Sequence, residues 1–235
     1  MSILESVEIA EDRNFSDFRF PVQYVNRPNL NFRGFCGTVA SGVVHKGDEI
    51  IVLPSGKTSR VKSIVNFDEE LELAHTEMAI TLTLEDEIDV SRGDMLTHPG
   101  NLPAIEDKFE ANIVWMTESP LLPGKHYEFK LGTRTLSGQV STIRNRIDVN
   151  TLAENPAPEL GLNEIGLVEV TLEQRVCFDG YKDNRTTGSF IVIDRLSNVT
   201  VGAGMIHCAQ QPHSATGAFG NIHVTKEERA ARYGQ

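Results

Sequence analysis

Short runs in which polar and apolar residues alternate occur along most of this chain, and each run ends at Gly, Pro, Asn or Asp. In residues 109–115 and again in residues 127–131, every second side chain is apolar or aromatic. Side chains of a strand point to its two faces in turn, so a period of two predicts strands that bury one face. From residue 18 onward the chain is therefore predicted to be all-β.

Residues 32–50 (FRGFCGTVASGVVHKGDEI) hold four glycines beside a lysine and an acidic pair, which could suit either a phosphate site or a series of turns. A phosphate loop needs a strand that passes directly into a helix, so that the helix N-terminus faces the anion. Here the alternation of residues 35–43 and the apolar run 49–53 predict strand, turn and strand. We therefore expect structural roles, at barrel bends and turns, for Gly34, Gly37, Gly42, Gly47, Gly202 and Gly204.

The order of the strands predicts two domains. Exposed strand edges favour aggregation, and closure into a barrel removes them. The Pro- and Gly-bearing segment 97–103 (THPGNLP) separates two such sets of strands. We predict two consecutive antiparallel β-barrels, at residues 17–101 and 102–210, with short helical or irregular termini at residues 1–16 and 211–235.

Three kinds of stretch could carry chemistry, but none of them has the pattern that a functional site requires. Residues 56–58 (GKT) match the end of a P-loop, but Ile51 stands where that motif needs a glycine. Acidic runs at residues 68–70 and 85–89 are more typical of solvated loops than of a metal site. The His207, Cys208 and His213 group lacks the spacing of a zinc site. We predict no catalytic, metal-binding or cofactor-binding residue in this chain.

The formal net charge of −11 argues against nucleic-acid binding, because such binding needs clustered lysine and arginine. No apolar run approaches the roughly 20 residues that cross a bilayer, so no membrane association is expected. The N-terminus lacks the features of a signal peptide, and three cysteines form an odd and widely spaced set. These observations predict a cytoplasmic protein.

Two strings resemble a known family. Residues 18–28 (FRFPVQYVNRP) and residues 194–204 (DRLSNVTVGAG) are similar to the second and third domains of the large, GTP-binding subunit of bacterial sulfate adenylyltransferase. That subunit belongs to the elongation factor Tu-like GTPases, and the resemblance covers roughly residues 3–208. It implies that residues 1–16 include the end of a GTPase domain, and that residues 211–235 lead toward an adenylylsulfate kinase domain.

The resemblance also implies a function. The family's nucleotide motifs lie in the missing first domain, so GTP and magnesium are assigned there and no nucleotide-binding residue is carried over. The barrels would be non-catalytic and would support GTP-coupled synthesis of adenylylsulfate from ATP and sulfate. The implied partners are the GTPase domain and an adenylylsulfate kinase domain in cis, and the small sulfate adenylyltransferase subunit. The alternative is an RNA-binding barrel module of a translation-type GTPase.

A contact surface for such partners is predicted where residues 26–31 join two expected strands. This stretch carries more polar groups than a turn requires. The predicted contact residues are Asn26, Arg27, Pro28, Asn29 and Arg33, and a plain connecting loop is the alternative interpretation.

Overall fold

The computed structural model describes residues 14–29, 32–67 and 69–209. The first group of strands is β1 (Arg19–Asn29), β2 (Phe32–Thr38), β3 (Val43–His45), β4 (Glu49–Leu53), β5 (Lys57–Asn66), β6 (Glu69–Leu71), β7 (Leu73–His75), β8 (Ala79–Leu84) and β9 (Met95–Thr97). The second group is β10 (Ala104–Trp115), β11 (His126–Leu131), β12 (Arg134–Ile147), β13 (Glu154–Asn155), β14 (Ile165–Phe178), β15 (Ser189–Ile193) and β16 (Thr200–Ala209).

The first group forms a closed barrel. Its hydrogen-bonded order is β4-β9-β1-β2-β8-β5, and pairing between β4 and β5 closes the ring. Strand β6 is added beside β5, while β3 and β7 form a separate two-stranded ribbon. Every pairing in this barrel is antiparallel. Its core includes the fully buried side chains of Phe20, Phe35 and Leu82.

The second group closes in the same way, in the order β11-β15-β16-β10-β14-β12 with β11 paired to β12. Strand β13 is added beside β12. The alternating residues 109–115 place Phe109 and Trp115 inward, where Phe109 contacts Phe178 and Trp115 meets Tyr127 edge-on, with ring centroids 5.5 Å apart. Burial of large aromatic side chains supplies much of a small barrel's stability. The predicted pair of antiparallel β-barrels is confirmed.

One predicted strand is interrupted. Alternation favoured a single run through residues 35–43, but β2 ends at Thr38 and Val43 belongs to β3. Gly42 lies between them with φ +78°, and a Cβ at this position would overlap the backbone of Phe18. The chain therefore leaves the barrel here and starts the β3–β7 ribbon.

In the described ranges no helix is long and apolar enough to span a bilayer. Within the same residues, no group of three or more His, Cys, Asp and Glu side chains is arranged to hold a metal ion. The predictions for residues 1–13 and for residues 210–235 fall outside the described chain.

Candidate functional site

The predicted contact residues lie on an extension of the first barrel. Asn26 to Asn29 belong to β1 and not to a loop, and β2 accompanies them after an irregularity between Asn26 and Asn29. Among the described strands, β9 pairs with residues 19–21 of β1, and β2 is the strand that accompanies residues 26–29. Pro28 fits there because an edge strand does not need every backbone N–H. Arg27, Pro28 and Asn29 are exposed and Asn26 is partly buried, so the predicted contact residues of β1 belong to a strand pair.

Arg33 is held against the barrel and is not a free side chain. Its Nη2 donates to the carbonyl of Val90 at 3.3 Å, and its guanidinium lies 5.6 Å from the centre of the Phe35 ring. The exposed carboxylate of Asp89 is 3.9 Å away. Lys57 contacts the same carboxylate at 3.3 Å. The cations of this face are therefore partly neutralised, which disfavours a phosphate-binding surface.

The two barrels meet at a polar contact that we call the junction, formed by the buried residues Arg19, Ser41, Asn184 and Thr187, the partly buried Asp179 and the exposed Asn101. Arg19 comes from the start of β1 in the first barrel, and Asp179 follows β14 in the second. The Arg19 side chain is 3% exposed and that of Asp179 is 12% exposed. A buried arginine is stable only where its charge and its donors are matched.

The guanidinium of Arg19 is fully matched. Its Nε donates to both carboxylate oxygens of Asp179, at 3.2 and 3.0 Å, and Nη2 donates to Asp179 Oδ1 at 3.0 Å. Nη1 donates to the carbonyls of Phe18 and Asn101, and Nη2 also reaches the side-chain oxygen of Asn101. The hydroxyl of Thr187 donates to the second oxygen of Asp179 at 2.6 Å. Such a two-oxygen pairing fixes orientation as well as distance.

Further contacts extend the junction on both sides. Asn184 Nδ2 donates to Ser41 Oγ at 2.9 Å, and both side chains are buried. Thr133 Oγ1, at the β11–β12 turn, donates to the carbonyl of Val22 at 3.2 Å. Next to it, a Cβ on Gly93 would overlap the side chain of Arg134. These contacts place the two barrels in one defined orientation.

Cys177 lies beside the junction. Burial raises the pKa of its thiol to about 12, with smaller contributions of both signs from charged neighbours, first Arg134 and then Asp94, Asp179 and Arg19. The thiol is therefore neutral at physiological pH and is a poor nucleophile.

The junction was not predicted from the sequence. Phe18 and Phe20 point inward, so Arg19 between them points outward and looks like a solvated arginine. The available signal was weak: an arginine between two aromatic residues at the first strand of a two-barrel chain could have been tested as an interdomain contact.

The glycines expected to be structural lie where side chains would collide or where φ is positive. A Cβ at Gly34 or Gly37 would lie 2.6 Å from Thr81 Cγ2 or from the carbonyl of Pro21, respectively. Gly47 has φ +89° in open space. On β16, a Cβ at Gly202 would lie 3.1 Å from the Trp115 ring, and one at Gly204 would overlap the Phe190 ring.

An open groove of about 490 Å³ runs over the outer face of the second barrel near the junction. Tyr181, Ile191 and Met205 form much of its wall, and Lys130 is its charged lining residue. Such a lining suits contact with another protein surface better than retention of a small charged ligand.

Comparison with known proteins gives the family context. Residues 108–207 match the family model described as GTP-eEF1A C-terminal domain-like. The sulfate adenylyltransferase subunit 1 of Alteromonas mediterranea is 60% identical over 206 residues, which cover 88% of this chain and 44% of that protein. The subunit 1 of Pseudoalteromonas atlantica is 57% identical, with the same coverage. The chain is a homologue of sulfate adenylyltransferase subunit 1.

A fused relative also matches. The bifunctional enzyme CysN/CysC of Rhodopirellula baltica is 51% identical over 250 residues, covering 100% of this chain and 38% of that protein. The chain thus spans less than half the length of these curated relatives. A solved structure of sup35 complexed with GDP matches with a TM-score of 0.77 over 89% of this chain and 52% of that one. Its identity is 20%, so that likeness concerns the fold alone.

Proposed function

We propose that this chain forms the non-catalytic barrel part of the GTP-binding subunit of a sulfate adenylyltransferase. In the whole protein it would support GTP-coupled formation of adenylylsulfate from ATP and sulfate, in cytoplasmic sulfate assimilation. The observation that carries the proposal is the 60% identity to a sulfate adenylyltransferase subunit 1 over 88% of the chain, a span that takes in most of both barrels.

The proposal divides the chain into four parts. Residues 1–16 close a preceding GTPase domain and link it to the first barrel, at residues 17–101. Residues 102–210 form the second barrel, and residues 211–235 lead to an adenylylsulfate kinase domain. The fused relative supports the last assignment because its printed name joins two activities. GTP and magnesium would be bound by the GTPase domain.

The junction indicates how such barrels would act. A GTPase domain would make different contacts with the barrels in its GTP and GDP states. Such a change can be transmitted to a partner only if the barrels move as one rigid body. The saturated Arg19–Asp179 pair and the Asn184–Ser41 hydrogen bond would keep the two barrels together as that body. The polar groups of the junction are engaged with one another, which favours a mechanical role over a chemical one.

The proposal is tested by copurification. The full-length parent protein is expected to copurify with the small sulfate adenylyltransferase subunit, and this chain alone is expected to turn over neither GTP nor ATP. Firm binding of transfer RNA at physiological salt, with indifference to the small subunit, would instead support a translation-type role. Nucleotide turnover by the isolated chain would contradict the non-catalytic assignment.

A further inference from the structure

The end of the second barrel opposite the junction carries an unusual surface, which we call the distal pole. It consists of three loops, residues 116–125, 148–164 and 194–199, which connect strand ends far from Asp179. Of the twelve large apolar side chains exposed among the described residues, seven lie on these loops. They are Met116, Leu122, Val149, Leu152, Leu162, Leu196 and Val199. Such concentration distinguishes the pole from scattered surface apolar residues.

The three loops form one continuous surface. Leu121 and Leu160 are buried and exchange two backbone hydrogen bonds, of 2.8 and 3.2 Å, which join the first two loops. Lys125 Nζ lies 3.5 Å from the carboxylate of Asp194, which joins the first loop to the third. These two contacts connect the three loops into one surface.

The two leucines most exposed in the described chain, Leu196 (95%) and Leu152 (75%), lie on loops ordered by an aspartate. The carboxylate of Asp194 accepts hydrogen bonds from the amides of Leu196 and Ser197, at 3.1 and 3.0 Å. The carboxylate of Asp148 accepts from the two amides that follow Val149, each at 2.9 Å. A side chain displayed on an ordered loop loses little entropy when it is buried by a partner.

Leu152 adopts a backbone conformation that leucine rarely takes. Its φ is +58°, and its amide donates to the carbonyl of Asp148 at 2.8 Å. An asparagine would fit this conformation better. The loop thus displays an apolar side chain at a position where backbone geometry favours a polar one.

The pole is acidic around its apolar residues. The three loops hold six carboxylate residues (Glu118, Asp148, Glu154, Glu159, Glu164 and Asp194) against two basic ones (Lys125 and Arg195). Lys125 is already paired with Asp194, and Glu164 is paired with Arg146 of the neighbouring strand β12. A matching surface would therefore be apolar at its centre with lysine and arginine around it.

The path of the chain favours an occupant that is a separate molecule. At the start of the described chain, Asn14 lies near the carbonyl of Asp183, at the junction end. At its end, Ala209 pairs with Phe109 on the same side of the second barrel. The described chain therefore both begins and ends away from the distal pole.

We propose that the distal pole is the docking surface for the second subunit of the sulfate adenylyltransferase, with Leu152 and Leu196 as its anchors. This inference rests on the proposed function. It specifies that the partner presents an apolar patch rimmed by basic side chains, and that the Asn26–Arg33 surface is not required for this contact.

The test measures binding of the small subunit to the full-length parent protein by calorimetry or surface plasmon resonance. Leu152→Asn and Leu196→Ser are each expected to raise Kd at least about 10-fold, as for a buried interface anchor. Phe67→Asn is the matched control, because Phe67 is 98% exposed with φ +54° on the first barrel, and it should change Kd less than about twofold. Association by the wild type is expected to slow with added salt.

Hydrogen exchange gives an independent readout in the same complex. Addition of the small subunit is expected to protect residues 148–164 and 194–199. Wild-type binding that both leucine variants retain would overturn the assignment of the pole and leave the proposed function intact. Absence of wild-type binding would overturn both. Protection of the pole before the subunit is added would identify a cis domain as the occupant. Self-association of the parent protein that Leu196→Ser abolishes would identify a second copy as the occupant. Either result would overturn the inference.

Discussion

Replacement of Asp179 by asparagine should be among the most damaging single changes to this chain. The substitution keeps the shape of the side chain but removes the charge opposite Arg19, whose side chain is 3% exposed. Removal of one partner from a buried ion pair typically costs about 3–5 kcal/mol, since the remaining charge stays desolvated. With a urea m-value of about 2–3 kcal/mol/M, the unfolding midpoint would fall by about 1–2.5 M.

The double variant Arg19→Met/Asp179→Leu separates the effect of an unpaired charge from the effect of lost packing. Replacement of both ionic partners by apolar side chains of similar size is often nearly neutral, so the double variant should be clearly more stable than Asp179→Asn. Glu70→Gln is the control, because Lys46 and Glu70 form a 2.6 Å pair in solvent. That exposed pair should leave the midpoint nearly unchanged.

Two probes distinguish loss of stability from loss of coupling between barrels. Trp115 is the single tryptophan of the sequence and is buried in the second barrel, so its fluorescence reports that barrel alone. Far-UV circular dichroism reports both barrels. The two transitions should coincide in the wild type and separate in Asp179→Asn. A change below about 1 kcal/mol with coincident transitions would refute the structural role assigned to the junction.

Three further predictions concern single positions. Gly204→Ala should destabilise the second barrel by about 1–3 kcal/mol in urea unfolding, since the added Cβ would overlap the Phe190 ring. Gly161→Ala is the control and should be nearly neutral, because the nearest atom to its added Cβ is 3.6 Å away. Equal effects of the two substitutions would contradict the predicted overlap. Cys177 should resist iodoacetamide at pH 8 in the native protein, because burial raises the pKa of its thiol to about 12. It should react once the chain is unfolded in urea at the same pH. Rapid labelling of the native protein, detected by peptide mapping, would be evidence against that burial. The pKa of Asp194 is lowered below its ordinary 3.8, first by the hydrogen bond from the amide of Ser197, so the stabilisation that this carboxylate gives is present above pH 3.8 and is lost as the pH falls through the folded pKa. The amide chemical shifts of residues 196–197 should therefore titrate below pH 3.8, and this titration should disappear in Asp194→Asn. A midpoint at or above pH 3.8 would show that the carboxylate is free.

Local pattern was sufficient to predict the strands and the two barrels. The run at residues 49–53 coincides with β4, and the inward positions of residues 109–115 are buried, because both depend on side-chain alternation within one strand. Pro28 was harder, since proline and asparagine are typical of turns. Strand β1 nevertheless continues to Asn29, because β9 pairs only with residues 19–21 and Pro28 therefore removes no donor from that ladder.

Contacts between distant parts of the chain could not be predicted in this way. Arg19 and Asp179 are 160 positions apart, and the string that contains Arg19 does not indicate its partner. The distal pole combines three loops that look like ordinary turns one at a time. Leu196 and Leu152 become noteworthy only when the fold places their loops side by side, because sequence patterns do not show which loops share one end of a barrel.

The most direct test of the account is the number of GTP molecules hydrolysed per adenylylsulfate formed by the full-length protein with its small subunit. If the barrels act as one rigid body, Arg19→Met should retain GTP hydrolysis but raise this number several-fold, because the work of the GTPase domain would no longer reach its partner. If the barrels of Arg19→Met unfold separately but the number of GTP molecules hydrolysed per adenylylsulfate is unchanged, the claim that the junction transmits coupling is contradicted.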